Sequence, residues 1–204
     1  VASAAVIAKN STANLAIVSR DTGILAGMDL ARLAFECIDK TINFSPNASD
    51  GDTIKSGQVL AYVSGNTQAL LQAERTALNF LTHLSGIASM TAKAVAQISH
   101  THAKITCTRK TTPLLRNLQK YAVRAGGGCN HRMGLDDAIL IKDNHLIYSG
   151  TLKQTIANAK AAAGHLIPIE VEVDTITQLE EALEAGADFV LLDNMDNDTL
   201  KHAV

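Results

Sequence analysis

Arg109, Lys110, His131, Arg132, Lys142 and His145 fall within one stretch of chain, residues 104–145, at the ends of apolar runs or in the loops beside them. Cations in such places, rather than along solvated helix faces, suit a pocket for an anionic ligand. Arginine forks grip a carboxylate or phosphate at two points, and lysine acts as a point charge. A glycine run, Gly126 to Gly128, precedes His131 and Arg132; it can end a helix or expose amides to an anion, and alone it decides neither. Further on, Ile169, Val171 and Val173 alternate with Glu170, Glu172 and Asp174, and the apolar run FVLL is followed by Asp193. Carboxylates on a strand of a parallel sheet are costly unless a cation, metal or ligand answers them; the alternative is an edge strand with one solvated face.

The elements that must position these residues are legible from periodicity. From residue 104 onward the pattern alternates strand and helix, with strands expected at 104–109, 138–142, 168–173 and 188–193. Helices are expected at 113–125, 151–163, 176–185 and from about 197 to the last residue. Repeated βα units imply a parallel sheet, doubly wound or barrel-forming, whose site lies at the C-terminal strand ends. Lys142, Glu172 and Asp193 all fall there, on successive strands, beside Arg109 and Lys110 on the first. Adjacent residues of an extended strand point to opposite faces, so at most one of Arg109 and Lys110 turns inward; which one is open. On the helix after Pro113, Leu114, Leu118, Tyr121 and Ala125 form the expected buried stripe, and Arg116 with Lys120 a solvated face.

Residues 1–100 read as a separate α+β domain and residues 101–204 as the α/β domain. The first has short strands near 14–19, 23–26 and 59–63, a helix near 29–38, and a long helix over about 67–88 that puts Arg75, Asn79 and Thr82 on one face. A second helical stretch is expected up to about residue 100.

Composition closes off several classes. A net charge of −2 argues against a general nucleic-acid binder, and 3% aromatic residues against a base-stacking platform. Three scattered cysteines make neither a disulfide framework nor a zinc pattern and fit a reducing, cytoplasmic setting. No apolar run approaches membrane-spanning length. The remaining histidines, His83, His100, His102, His165 and His202, have no ligand spacing, and Cys129 has no evident activating neighbour.

Several long stretches occur together in this order: ERTALNFLTHLSGIAS at 74–89, TRKTTP at 108–113, KYAVRAGGGCNHRMGLDDAILIKDNH at 120–145, EVEVD at 170–174 and LLDN at 191–194. In these the sequence resembles the quinolinate phosphoribosyltransferases. The resemblance implies an incomplete α/β barrel of the phosphoribosyltransferase type, preceded by an α+β N-terminal domain. It implies an enzyme that joins quinolinate to phosphoribosyl pyrophosphate with magnesium, giving nicotinate mononucleotide, pyrophosphate and carbon dioxide for NAD synthesis. A homodimer is implied, with Arg75 reaching the neighbouring site to hold a quinolinate carboxylate. Arg109, His131 and Arg132 would grip the same dianion, and Lys110 and Lys142, with His145 alongside, would lie between it and the phosphates. Glu172 and Asp193 would face the ribose and the metal-bound pyrophosphate, with Lys110 sharing in the catalysis.

The sequence departs from this family's pattern at Cys107, where Asp is usual, and at Leu114, where Gly is usual. The expected domains also begin and end inside the family's, short of the last phosphate-binding loops. Two rivals share part of the pattern: a molybdenum-transport accessory protein of the same fold, and a non-catalytic phosphate-binding barrel. The charged KDNH at 142–145 favours the quinolinate enzyme.

Overall fold

Strand β1 (Thr12–Val18) alternates exposed and half-buried residues along its whole length, the signature of a strand with one face on a core. It pairs antiparallel with β5 (Val59–Asn66), which pairs on its other side with β3 (Asn43–Pro46). Two short strands, β2 (Gly23–Ile24) and β4 (Thr53–Ile54), form a separate ladder. A computed structural model describes residues 5–204 of the chain in two compact units, the first running to His131 and the second Arg132–Val204. The boundary expected at 100/101 marked the change in periodicity.

The core of the first unit is built from helices α1 (Met28–Ile38) and α2 (Thr67–Gln97) with the inner faces of these strands. Helix α2 buries Leu70, Ala73, Ala77, Leu81, Leu84, Ala88 and Thr91 at three- and four-residue spacing, so one continuous stripe runs along it. The helix was expected to break near residue 88 and instead runs through Gly86 as one element. Ser85 Oγ and Ser89 Oγ, one turn apart, accept the amides of Ala26 (2.9 Å) and Ile24 (2.8 Å). Two helix hydroxyls thereby satisfy the amide of Ile24 in β2 and that of Ala26 just beyond it, and this packing outweighs the weak helix propensity of Gly86.

Helix α1 starts after Gly27, whose φ of 102° lies in the left-handed region, and its cap comes from elsewhere in the chain. Asp50 accepts the amides of Gly27 (2.8 Å) and Met28 (3.0 Å), placing a carboxylate at the positive end of the helix. Tyr121 Oη donates to Asp50 at 2.6 Å, and this bond, reinforced by burial, pushes the phenol up to about 12 from 10.0. The folded state therefore holds the neutral phenol: the stabilisation is full below pH 10 and is lost as pH rises from 10 towards about 12. Because 45% of Tyr121 is exposed, solvent screening limits the contribution to about 1 kcal/mol. Tyr121→Phe is expected to cost that amount at neutral pH and to flatten stability between pH 10 and 12. Urea unfolding midpoints across that range measure both effects.

Helix α3 (Arg116–Ala125) begins three residues later than expected. Leu114 adopts a φ of 67° and is fully exposed, so the chain reverses there and Leu114 lies outside the helix stripe. Ala122, Leu118 and Ala125 pack against Leu84, Ala88 and Ala26, while Tyr121 is largely exposed. Lys120, expected on a solvated face, is 1% exposed. A left-handed leucine is strained by roughly 1–2 kcal/mol, offset in a glycine by its larger backbone entropy loss. Leu114→Gly is thus expected to raise stability by about 0.5–1 kcal/mol; an unchanged or lower thermal midpoint would mean that the strain is absent.

The second unit is a parallel sheet in the order β6 (Ile139–Ile141), β7 (Ile169–Val173), β8 (Phe189–Leu192). Its helices are α4 (Asp143–Ser149), α5 (Leu152–Ala162), α6 (Ile176–Glu184) and α7 (Asn197–Ala203). Thr151, Thr175 and Asp196 cap α5, α6 and α7 by accepting amides three residues on. Ile141, Ile156, Ile169, Val171, Val173 and Ala182 form the centre of the core. The sheet is open. The alternation expected from the sequence is present from residue 138 onward, with α4 an addition. Residues 104–109 form no strand of this sheet: Thr106 makes an isolated parallel bridge to Cys129 within the first unit. Among the described residues no helix is long and apolar enough to cross a membrane.

Candidate functional site

In the first unit, two segments are laid side by side. Cys129 N donates to Ile105 O (2.8 Å) and Cys107 N to Cys129 O (3.2 Å), so the chains leading to Arg109 and to His131 run parallel. Of the adjacent cations, Arg109 is the half-buried one and Lys110 is exposed, which decides what the strand pattern left open. Arg109 Nε is buried without a hydrogen-bond partner. A buried, permanently charged donor left unpaired costs free energy and points to an absent anionic acceptor. A turn closed by Thr111 N on Arg109 O (2.9 Å) and Lys110 N on Thr108 Oγ1 (3.1 Å) sets the backbone here. Gln119 accepts from Thr112 N (3.0 Å) and contacts His83 Nε2 (3.0 Å), tying this loop to α2 and giving His83 a structural role.

The glycine run is explained by packing. A Cβ on Gly126 would lie 2.3 Å from Ala88 O, and one on Gly128 would lie 2.8 Å from Thr91 Cγ2 and 3.2 Å from Ile105 O. Gly127 has a φ of 84°. The first and third glycines let α3 and the following loop lie against α2, and the middle one turns the chain. Arg75 is exposed on α2, on the side away from the buried Ala73 and Ala77, where Asn79 and Thr82 are also exposed.

The second unit holds three of the charged residues expected at the strand ends; Arg109 and Lys110, expected beside them on a first strand of the same sheet, lie instead in the first unit. The register matches Ile141 with Val171, so the next residues, Lys142 and Glu172, are level; Glu172 is level with Leu191. Residues level across parallel strands share a face, and Asp193 lies two beyond Leu191. Lys142, Glu172 and Asp193 therefore share one face of the sheet. Lys142 Nζ forms an ion pair with Glu172 Oε2. Because β7 lies between β6 and β8, the reading of an edge strand with a solvated face is excluded; Ile169, Val171 and Val173 are buried and Glu170 and Glu172 half-buried. Asn194, with a φ of 54°, donates its side-chain amide to Asp193 Oδ2 at 2.9 Å and orients that carboxylate.

His145 Nδ1 accepts the amide of Lys142 at 2.9 Å, so its ring caps the start of α4 and fixes the backbone of the lysine. Arg132 is half-buried, donates from one terminal nitrogen to Ala138 O (3.3 Å), and leaves a buried Nε without a partner, as Arg109 does. The loop after it is held by Asp137, which accepts the amides of Met133 and Gly134; these bonds, Met133 foremost, keep its carboxyl below the usual carboxylate range. Among the described residues no three His, Cys, Asp or Glu side chains converge as a metal site. Glu172 is already answered by Lys142, so Glu172 and Asp193 do not make a resident metal centre by themselves.

Two contributors were not foreseen. Asn194 lies in the LLDN stretch at 191–194, where an asparagine just after an apolar strand is itself a signal for a left-handed turn, a conformation it tolerates. Lys120 had no local signal, because a lysine one turn from an arginine ordinarily faces water.

The chain matches two family models: "Quinolinate phosphoribosyl transferase, N-terminal domain" over residues 1–85 and "Quinolinate phosphoribosyl transferase, C-terminal domain" over residues 87–204. It is 47% identical over 186 residues to the probable nicotinate-nucleotide pyrophosphorylase (carboxylating) of Bacillus subtilis, covering 91% of this chain and 64% of that protein. It is 45% identical over 180 residues to the nicotinate-nucleotide pyrophosphorylase (carboxylating) of Mycobacterium leprae, covering 87% of this chain and 63% of that protein. The chain thus spans less than two thirds of the length of these relatives. A crystal structure of NadC from Streptococcus pyogenes superposes with a TM-score of 0.95 at 41% identity, covering 99% of this chain and 72% of that one. The nicotinate-nucleotide pyrophosphorylase from Francisella tularensis superposes with a TM-score of 0.95 at 39% identity, covering 98% and 71%.

Proposed function

Because this chain belongs to the quinolinate phosphoribosyl transferase family, we propose that it serves phosphoribosyl transfer from phosphoribosyl pyrophosphate to quinolinate with decarboxylation, giving nicotinate mononucleotide for NAD synthesis. The observation that carries this reading to the residues is the buried guanidinium nitrogen without a hydrogen-bond partner at Arg109 in the first unit; the second unit has its own at Arg132. A carboxylate, of which quinolinate carries two, supplies the acceptor that each such guanidinium group lacks. His131, between these arginines in sequence order, and Lys110 extend the cationic set. Arg75, exposed on α2, fits the role of a residue offered to the site of a second copy in a homodimer.

In the reaction, the pyridine nitrogen of quinolinate forms a bond to the anomeric carbon as the bond from that carbon to pyrophosphate breaks, its electron pair leaving with pyrophosphate. Positive charge builds on the ribose ring in between. Glu172 and Asp193 oppose that charge, and Lys142 and Lys110 stabilise the departing phosphate charge. Once quaternised, the ring accepts the electron pair released when the carboxylate beside its nitrogen leaves as carbon dioxide, and a proton then replaces it. The chain's own contribution is positioning and preorganised charge, without a covalent nucleophile. His145 acts here by holding Lys142. Magnesium is proposed to arrive with phosphoribosyl pyrophosphate, facing Glu172 and Asp193 through bound phosphate or water. The setting is proposed to be cytoplasmic, and neither nucleic acid nor membrane is a partner.

Isothermal titration with quinolinate, with nicotinate as the control, tests the reading. Binding of quinolinate but not nicotinate is expected, followed by product on adding phosphoribosyl pyrophosphate and magnesium. Equal binding of both acids would overturn the dicarboxylate assignment.

A further inference from the structure

Among the described residues, Lys120 is the one charged side chain that is fully buried. Its Nζ donates to Cys107 Sγ (3.0 Å) and to His131 O (2.9 Å). Burying an ammonium without a carboxylate beside it is expensive, and an apolar side chain of similar length would fill the same space without that cost. What the lysine adds is direction: its donors aim at two acceptors on two different segments. Cys107 lies two residues before Arg109, and His131 is itself in the cationic set. The Thr106–Cys129 bridge is the only ladder contact between these segments among the described residues, and Asn130 Oδ1, 3.4 Å from Cys107 Sγ, is the further side-chain contact between them. One cation on α3 therefore clamps both segments of a pair that is otherwise held by one bridge and one thiol–amide contact.

We propose that Lys120 is a positioning residue for the dicarboxylate-binding cations, setting the spacing of the Arg109 and His131 segments through Cys107 Sγ and His131 O. The assignment of the ligand rests on the quinolinate reading above; the clamp itself does not. Cys107 is the weak half of the clamp, because a thiol is a poor acceptor compared with the carboxylate that usually faces a buried ammonium.

The test compares Lys120→Met, Lys120→Arg, Cys107→Asp and the Lys120→Met/Cys107→Asp double variant. Amide hydrogen exchange is read at Cys107 and Cys129, whose N–H groups bond across the segment pair. Lys120→Met is expected to speed exchange at these two amides by about tenfold or more, with the amides of Leu81 and Leu84 in the middle of α2 unchanged. In steady-state kinetics it is expected to raise KM for quinolinate by about tenfold, leaving KM for phosphoribosyl pyrophosphate within about twofold. Lys120→Arg should restore much of both. Cys107→Asp should keep or slow exchange and keep KM for quinolinate, whereas the double variant, with its carboxylate unanswered, should be worse than either single change. Unchanged exchange and unchanged KM in Lys120→Met would overturn the proposal, as would equal loss at the α2 amides, which marks a merely structural lysine. If Lys120→Met does not fold, Lys120→Arg and Cys107→Asp decide by the same readouts. If the wild type ignores quinolinate while exchange responds as expected, the clamp stands and the dicarboxylate reading falls.

Discussion

Glu172→Gln is expected to leave the second unit folded and to lower kcat for nicotinate mononucleotide formation by about a hundredfold or more. The substitution keeps the shape of a side chain that is 14% exposed and removes only its charge. Val171 and Val173, which carry the core on either side of it, are untouched. Two electrostatic consequences follow at once. In the proposed mechanism the charge opposing the cationic ribose in the transition state is lost, an effect of the same kind as removing a preorganised oxyanion donor, which costs roughly 10²–10³ in rate. Lys142, deprived of its partner, turns its charge towards the phosphate or the solvent, so ground-state binding of phosphoribosyl pyrophosphate is expected to hold or tighten. The signature is therefore a fall in kcat with KM for that substrate flat or lower, which distinguishes lost transition-state stabilisation from lost binding. Full turnover in the variant would remove the carboxylate from the mechanism. Thermal unfolding of the same protein guards against a trivial cause, since a pair with Lys142 41% exposed contributes only about 1 kcal/mol to stability.

The largest effect on stability is expected at Gly126. An added methyl group would meet the backbone oxygen of Ala88 at 2.3 Å and its carbonyl carbon at 3.0 Å, with Thr91 Cβ at 2.8 Å. The first two are atoms of α2 itself, in the stretch that buries Leu84, Ala88 and Thr91, so no flexible side chain can swing aside to relieve the contact. Helix α3 must then move off α2, and Leu118, Ala122 and Ala125 lose their packing against Leu84 and Ala88. Gly126→Ala is expected to cost about 3 kcal/mol or more, at or above the usual upper end for overpacking a tight interior contact. Gly127→Ala is strained by its positive φ but meets only Val95 Cγ1 at 3.9 Å, and is expected to cost less. Denaturant midpoints of the two variants rank them; an equal or reversed order would show that backbone conformation, rather than close approach, dictates the glycine run.

Much of the second unit was legible because its signals are local. Apolar runs of strand length, threonine and aspartate caps, and the glycine after α6 all act within a few residues. The strands at 138–142, 168–173 and 188–193 and their helices consequently appear close to where periodicity puts them. Glu172 and Asp193 stood out for the same reason: a charge inside an apolar run conflicts with its neighbours, and that conflict is visible without knowing the fold. Strands β3 and β4 were missed because they are short and carry no alternation of their own; pairing with β5 and β2 makes them strands.

What the sequence by itself determined, then, is the strand–helix alternation from residue 138 onward, the family, and which charged residues sit where a parallel sheet cannot leave them unanswered. Tertiary structure alone decided which neighbour of each pair turns inward. Residues 104–109 have the composition of a strand, yet their partner is the loop residue Cys129, so only one bridge forms and Arg109, not Lys110, is drawn in. Leu114 and Lys120 exchanged the places that helical periodicity assigns them, because the left-handed turn at Leu114 delays the helix and sends the leucine out. Within the helix, the acceptors Cys107 Sγ and His131 O make an inward lysine affordable. Periodicity reports the average preference of a side chain for water, whereas burial of a charge is settled by partners that arrive from distant parts of the chain.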